Sequence, residues 1–179
     1  MSARVISPPD QEAISVVDAC LHLRADQGPE DPLIQRAIRS ARRRAENETG
    51  RPLLPQTCEK RFEKFERSMH LWRDVTQIIS VAYDDELGVA QQMDPMSYYV
   101  VGQSDLRVVG ELPAAREVVV QFKCGAFEAD AVPEDVVTWM LLQIGAIYEN
   151  RSAVDSVQTY EIPGRFVDGL LDGARIWSI

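Results

Sequence analysis

The sequence predicts an α+β fold, a small helical bundle built from both chain ends and carrying an antiparallel β insertion. Three observations predict it. Apolar residues recur at helical spacing over 33–45 and again over 136–148, and the stretch between them is broken by turn residues every few positions. Two amphipathic helices far apart in sequence bury their apolar faces most simply against each other. The division that follows is 1–56 for an N-terminal arm and two helices, 57–130 for the β insertion, and 131–179 for the C-terminal helices and tail that complete the bundle.

The elements follow in chain order. Residues 1–14 contain Pro8-Pro9 and read as an extended arm. Ser15 and Asp18 have capping-box spacing, which starts a short helix over 16–24. Asp31-Pro32 supplies an N-cap and a proline suited to a first helical turn, and Gly50 stands where a helix stops. Between them Leu33, Ile34, Ala37, Ile38, Ala41 and Ala45 form one apolar stripe. Phe62 and Phe65 lie in a charged, partly exposed strand. Residues 75–83 are rich in β-branched side chains, 84–88 make a turn, and 98–101, 106–109 and 117–123 are strands. After Pro133, Val136, Val137, Met140, Leu141, Ile144, Ile147 and Tyr148 form a second apolar face. A polar link over 151–160 leads to a last short helix over 165–174, weakened by Gly169 and Gly173. The chain closes on the apolar Ile176, Trp177 and Ile179.

Composition narrows the function classes. The 179 residues are 45% hydrophobic and 26% charged, as expected of a globular protein, and the formal net charge is −9. That balance opposes tight wrapping of nucleic acid, which draws its affinity from neutralised phosphates. Cys20, Cys58 and Cys124 include no CxxC pair, and His22 and His70 do not complete a metal-ligand spacing with them. Buried free thiols in a reducing compartment are expected, with no metal and no cofactor. The N-terminus lacks a signal-peptide core, and 136–148 is too short for a bilayer span, so no membrane partner is expected.

Catalytic patterns are equally sparse. Cys20 and His22 stand two apart on a helix and point in different directions, which argues against a nucleophile–base pair and for a buried thiol beside a partly exposed imidazole. Asp84-Asp85 belongs to a turn, Glu134-Asp135 to a helix first turn, and Glu111 stands apart from both. No phosphate-cradling glycine loop, nucleophile elbow or zinc-protease helix is present. The sequence therefore predicts a protein that is not an enzyme.

Two groups of residues stand out as candidate surfaces. Arg36, Arg39 and Arg43 share one face of the second helix, with Arg42, Arg44 and Arg51 nearby. They could contact DNA phosphates in a channel, pair with acids of a neighbouring subunit, or form a solvated face balanced by Glu46 and Glu48. Trp139 is a second candidate for contact between subunits. At the C-terminus, Arg175, Ile176, Trp177 and Ile179 either fold back on the core or anchor in a partner's pocket.

Several phrases together are similar to a known family. They are SPP near the start, HLRAD at 22–26, EDPLIQRAIRSARRRAENETGRPLLPQT at 30–57, VAYDD at 81–85, MDPMSYYV at 93–100 and VPEDVVTWMLLQIGAIYENR at 132–151. In this order they resemble the head–tail connector, or head-completion adaptor, proteins of tailed phages and the related adaptors of gene transfer agents. The resemblance implies a homo-oligomeric ring, commonly twelve-fold, beneath the portal protein. Such a ring would extend the DNA channel and dock a downstream neck or tail-completion protein. It would be assembled in the host cytoplasm and carried in the virion neck. The alternative is a DNA-binding packaging or regulatory module using the arginine-rich helix, and a small hydrolase is a weaker rival.

Overall fold

In a computed structural model of the protein, residues 3–149 and 169–175 are described. The chain forms two compact units, one of Met1–Asp10 with Leu54–Ala126 and one of Gln11–Leu53 with Phe127–Ile179.

Apart from a 3-10 turn at Pro95–Ser97, the described part of the first unit is β. Its strands are β1 (Arg4–Ser7), β2 (Gln56–Phe62), β3 (Ser68–His70), β4 (Val75–Asp84), β5 (Ala90–Gln92), β6 (Tyr98–Val101), β7 (Asp105–Val108) and β8 (Glu117–Cys124). One antiparallel sheet runs β1-β2-β8-β4-β5 and a second runs β3-β7-β6. In β8, Val118, Val120, Phe122 and Cys124 alternate inward, as a half-buried strand requires. They share one core with Met69, Leu106 and Val108 of the smaller sheet. Cys58 and Cys124 are buried thiols in this core, with sulfurs 3.5 Å apart.

The extended N-terminal arm is itself a strand, since Arg4 and Val5 pair with Glu59 and Cys58 of β2. This pairing spans some fifty residues of chain, so local pattern does not reveal it. Phe65 lies beyond β2, is buried, and meets the Tyr83 ring edge-on at 5.2 Å. The strands β3 and β5, three residues each, are too short to carry a period and were not among those expected. At Gly125 the backbone passes so close to Pro55 that a Cβ would lie 2.6 Å from the proline nitrogen. Only glycine fits there without moving main chain.

The second unit is helical, with α1 (Val16–Leu23), α2 (Asp31–Thr49), α3 (Glu134–Glu149) and a 3-10 turn at Gly169–Leu171. Ser15 caps α1, its hydroxyl accepting from the Asp18 amide at 3.0 Å. Pro32 sits in the first turn of α2, although the N-cap is Glu30, one residue before the aspartate expected. Gly50, at φ +72°, ends the helix in the left-handed conformation that glycine adopts without strain. Ile34, Ala37, Ile38, Ala41 and Ala45 are buried, and the small alanines let α2 and α3 approach closely.

The buried stripe of α3 is Val136, Trp139, Met140 and Ile144. This corrects the expected face, because Leu141 is only half-buried and Ile147 is 39% exposed. Helix phase explains the shift: positions 136, 140 and 144 recur every four residues, and Trp139 lies beside that row. Of the last helix expected over 165–174, the described part is the 3-10 turn and the bend that follows it. Leu171 and Ala174 are buried there.

Candidate functional site

The six arginines at and after α2 separate into two groups. Arg42 falls on the four-residue row Ile34–Ile38–Arg42–Glu46 and is therefore carried into the core. Its Nε lies 2.8 Å from Glu12, and its Nη1 lies 3.0 Å from Glu46. The other Glu46 oxygen accepts from the Leu53 amide at 3.1 Å. One ion network thus ties the segment before α1, the body of α2 and the chain leaving α2. Removing one member of such a network leaves a buried charge alone and costs about 3–5 kcal/mol. Arg44 donates to Gln143 at 2.8 Å and places its guanidinium 6.0 Å from the Trp139 ring. Arg51 lies over Phe127 at 5.4 Å.

Arg36, Arg39 and Arg43 differ. All three are exposed, and among the described residues none makes an ion pair. The partners expected of a merely solvated face are occupied elsewhere. Glu46 is committed to Arg42, and Glu48 lies 3.7 Å from Arg175. The fold therefore presents three positive charges at i, i+3 and i+7 on one helix face, without an ion-pair partner among the described residues.

Trp139 does not join them. It is 2% exposed inside the helical unit, so its ring is buried in its own chain rather than held out for a neighbour. Its indole nitrogen has no hydrogen-bond partner among the described residues. Arg175 is likewise engaged at home. Its Nε donates to the Glu48 carbonyl at 3.3 Å and its Nη1 reaches Asp172 at 3.5 Å. A cation at the end of α2 also suits the negative pole of that helix. Ile176, Trp177 and Ile179 lie outside the described residues.

Of the residues considered for chemistry, Cys20 lies in the core of the helical unit and Asp85 shapes a turn. Cys20 is buried on α1 and His22 is exposed. Burial first, then Asp31 and Asp26, push the Cys20 thiol up and keep it protonated. Asp85 shapes its turn, one carboxylate oxygen accepting from the amides of Leu87 and Val89 at 2.9 Å each. Those bonds, chiefly from Val89, hold its carboxyl below the ordinary range. Glu111, Glu134 and Asp135 are exposed. Among the described residues no cluster of three His, Cys, Asp or Glu side chains is placed to hold a metal ion. No described helix is long and apolar enough to cross a membrane.

Sequence reasoning missed the Arg42 network, although its signal was present. A charged pair four apart on the apolar row of a helix can stay there only as a buried ion pair.

No protein-family model matches the chain, and no curated protein matches it. Solved structures do. A chain from the neck of an empty gene transfer agent (GTA) particle, computed with C6 symmetry, superposes with a TM-score of 0.78 at 19% identity. A chain from the virion of a native GTA particle gives 0.76 at 19% identity, and one from the neck of a native GTA particle computed with C12 symmetry gives 0.74 at 16%. Each match covers 100% of this chain and 97% of the other. At this identity the likeness is one of fold: both units of this chain, in order, have the fold found in GTA neck and virion structures, the class of particle its sequence phrases resemble.

Proposed function

We propose that the chain is a structural adaptor of the head-to-tail neck. It assembles as a ring beneath the portal, extends the DNA channel and provides the docking surface for neck and tail proteins. The observation that carries this reading is the whole-length likeness to chains of GTA necks. Those necks were computed with C6 and C12 symmetry, which favours a homo-oligomeric ring, with twelve copies the count proposed here. In such a ring each subunit repeats one heterologous interface until rotation closes it. The work is done by binding, and no catalytic residue, cofactor or membrane contact is assigned. A net charge of −9 per chain suits a passage through which DNA must slide without sticking. The virion neck is the destination and the host cytoplasm the place of assembly.

A second reading keeps one observation in its favour. Arg36, Arg39 and Arg43, exposed and without an ion pair among the described residues, could bind duplex phosphates in a packaging or regulatory module.

The C-terminal segment supplies the test. Leu171, Ala174 and Arg175 fasten the preceding turn to the helical unit, so deleting 176–179 leaves those anchors in place. Ile176, Trp177 and Ile179 are the proposed portal anchor, and the same contact repeated around a ring would hold firmly although each is weak. The truncated protein is expected to stay folded and soluble, while particles made with it are DNA-filled heads without tails. Tails attached at the normal frequency would move the docking role to another surface.

A further inference from the structure

We propose that the acidic hairpin tip between β4 and β5 of one copy seats in a recess beside Arg39 of the next copy, and that this pairing is the repeating contact of the ring. The proposal rests on the ring reading above and names the surfaces that would close it.

The tip is residues 84–89, Asp-Asp-Glu-Leu-Gly-Val. Leu87 is 88% exposed and Val89 51%. A single exposed leucine means little. This one is held outward by a structured turn. The Asp85 amide donates to the Val89 carbonyl at 3.0 Å and the Gly88 amide donates to the Asp85 carbonyl at 2.9 Å. Gly88 takes φ +78°, and Gln91 donates to the second Asp85 oxygen at 3.3 Å. A tip already fixed in one shape loses little conformational entropy on docking. It presents apolar side chains beside the carboxylates of Asp84, Asp85 and Glu86.

The recess has the complementary character. It encloses about 450 Å³, with Ile14, Val16 and Ile38 among its lining and Gln35 and Arg39 from α2. Glu12 also lines it, but that carboxylate is paired with Arg42. Arg39 continues the face of Arg36 and Arg43, which make no ion pair among the described residues. An apolar hollow with unpaired cations beside it fits an apolar tip with carboxylates beside it. Charge matching of this kind sets register and rejects wrong partners.

The two surfaces also satisfy the symmetry. The tip belongs to the β unit and the recess to the helical unit, so one copy can offer its tip to one neighbour and its recess to another. Used head to tail in this way, the contact repeats from copy to copy and builds a ring when its rotation closes. Cyclic symmetry is the symmetry used for the similar necks.

The test combines a crosslink with a charge swap in the full-length protein. Cys20, Cys58 and Cys124 are buried, so Gln35→Cys together with Leu87→Cys adds the two accessible thiols. Air oxidation with copper–phenanthroline takes two electrons and two protons from each close thiol pair and forms one disulfide. The double variant should give a ladder of covalent multimers on a non-reducing gel, and each single variant nothing beyond a dimer. Separately, Arg39→Glu should raise the protein concentration needed for half-assembly at least about tenfold by native mass spectrometry, and adding Glu86→Arg should reverse most of that loss. Rings that form normally yet give no ladder and no charge-swap rescue would overturn this pairing and leave the ring reading intact. A parent protein that forms no ring, alone or with portal, would overturn both.

Discussion

Replacing Ile144 by aspartate is expected to abolish the cooperative melt of the helical unit and leave the protein insoluble. Ile144 is fully buried on the α3 stripe, in the helix that packs against α2. Truncating such a side chain costs about 2–5 kcal/mol, and an unpaired carboxylate adds the cost of its lost hydration. A domain holds only about 5–15 kcal/mol in total, so the sum is enough to unfold it. The same change at Ile147, three residues on and 39% exposed, should alter stability little. Circular dichroism melts of the two variants decide the matter. Equal melts would mean that the α2–α3 core is misplaced.

The second large effect concerns assembly. Changing Arg36, Arg39 and Arg43 together to glutamate moves the formal charge by two at each site, from −9 to −15. The three side chains are exposed and make no ion pair among the described residues, so the fold should survive. Ring formation should be lost, because carboxylates would then face carboxylates across the subunit contact. Parent and variant alike should bind duplex DNA weakly at physiological salt. Light scattering and gel shifts on the same preparations separate the two readings of this face. Tight, salt-sensitive duplex binding by the parent, lost in the variant while rings persist, would favour the DNA-binding alternative.

Much of this molecule was legible from sequence because its signals are local. The Ser15 cap of α1, the glycine stop at Gly50, the alternation in β8 and the turn at Asp85 each depend on neighbours a few residues away. What escaped depends on long-range pairing or helix phase. Arg4–Ser7 is a strand only because β2 lies beside it. The α3 face was misjudged by one step around the helix, which placed Leu141 inside and Trp139 at an interface, the reverse of their relative burial. For the site, residue spacing correctly brought Arg36, Arg39 and Arg43 to one exposed face. It did not reveal that Glu46 and Glu48 are engaged elsewhere, which leaves the face without an ion-pair partner among the described residues.

The central claim is that copies of this chain form the ring that joins head to tail. Electron cryo-microscopy of the neck in particles carrying this chain tests it most directly, by fitting each unit separately into the density below the portal. The account predicts one closed ring of twelve copies around a central channel, with the C-terminal residues of each copy against the portal. A neck fully built from other proteins, with this chain absent or present as isolated copies, would contradict it.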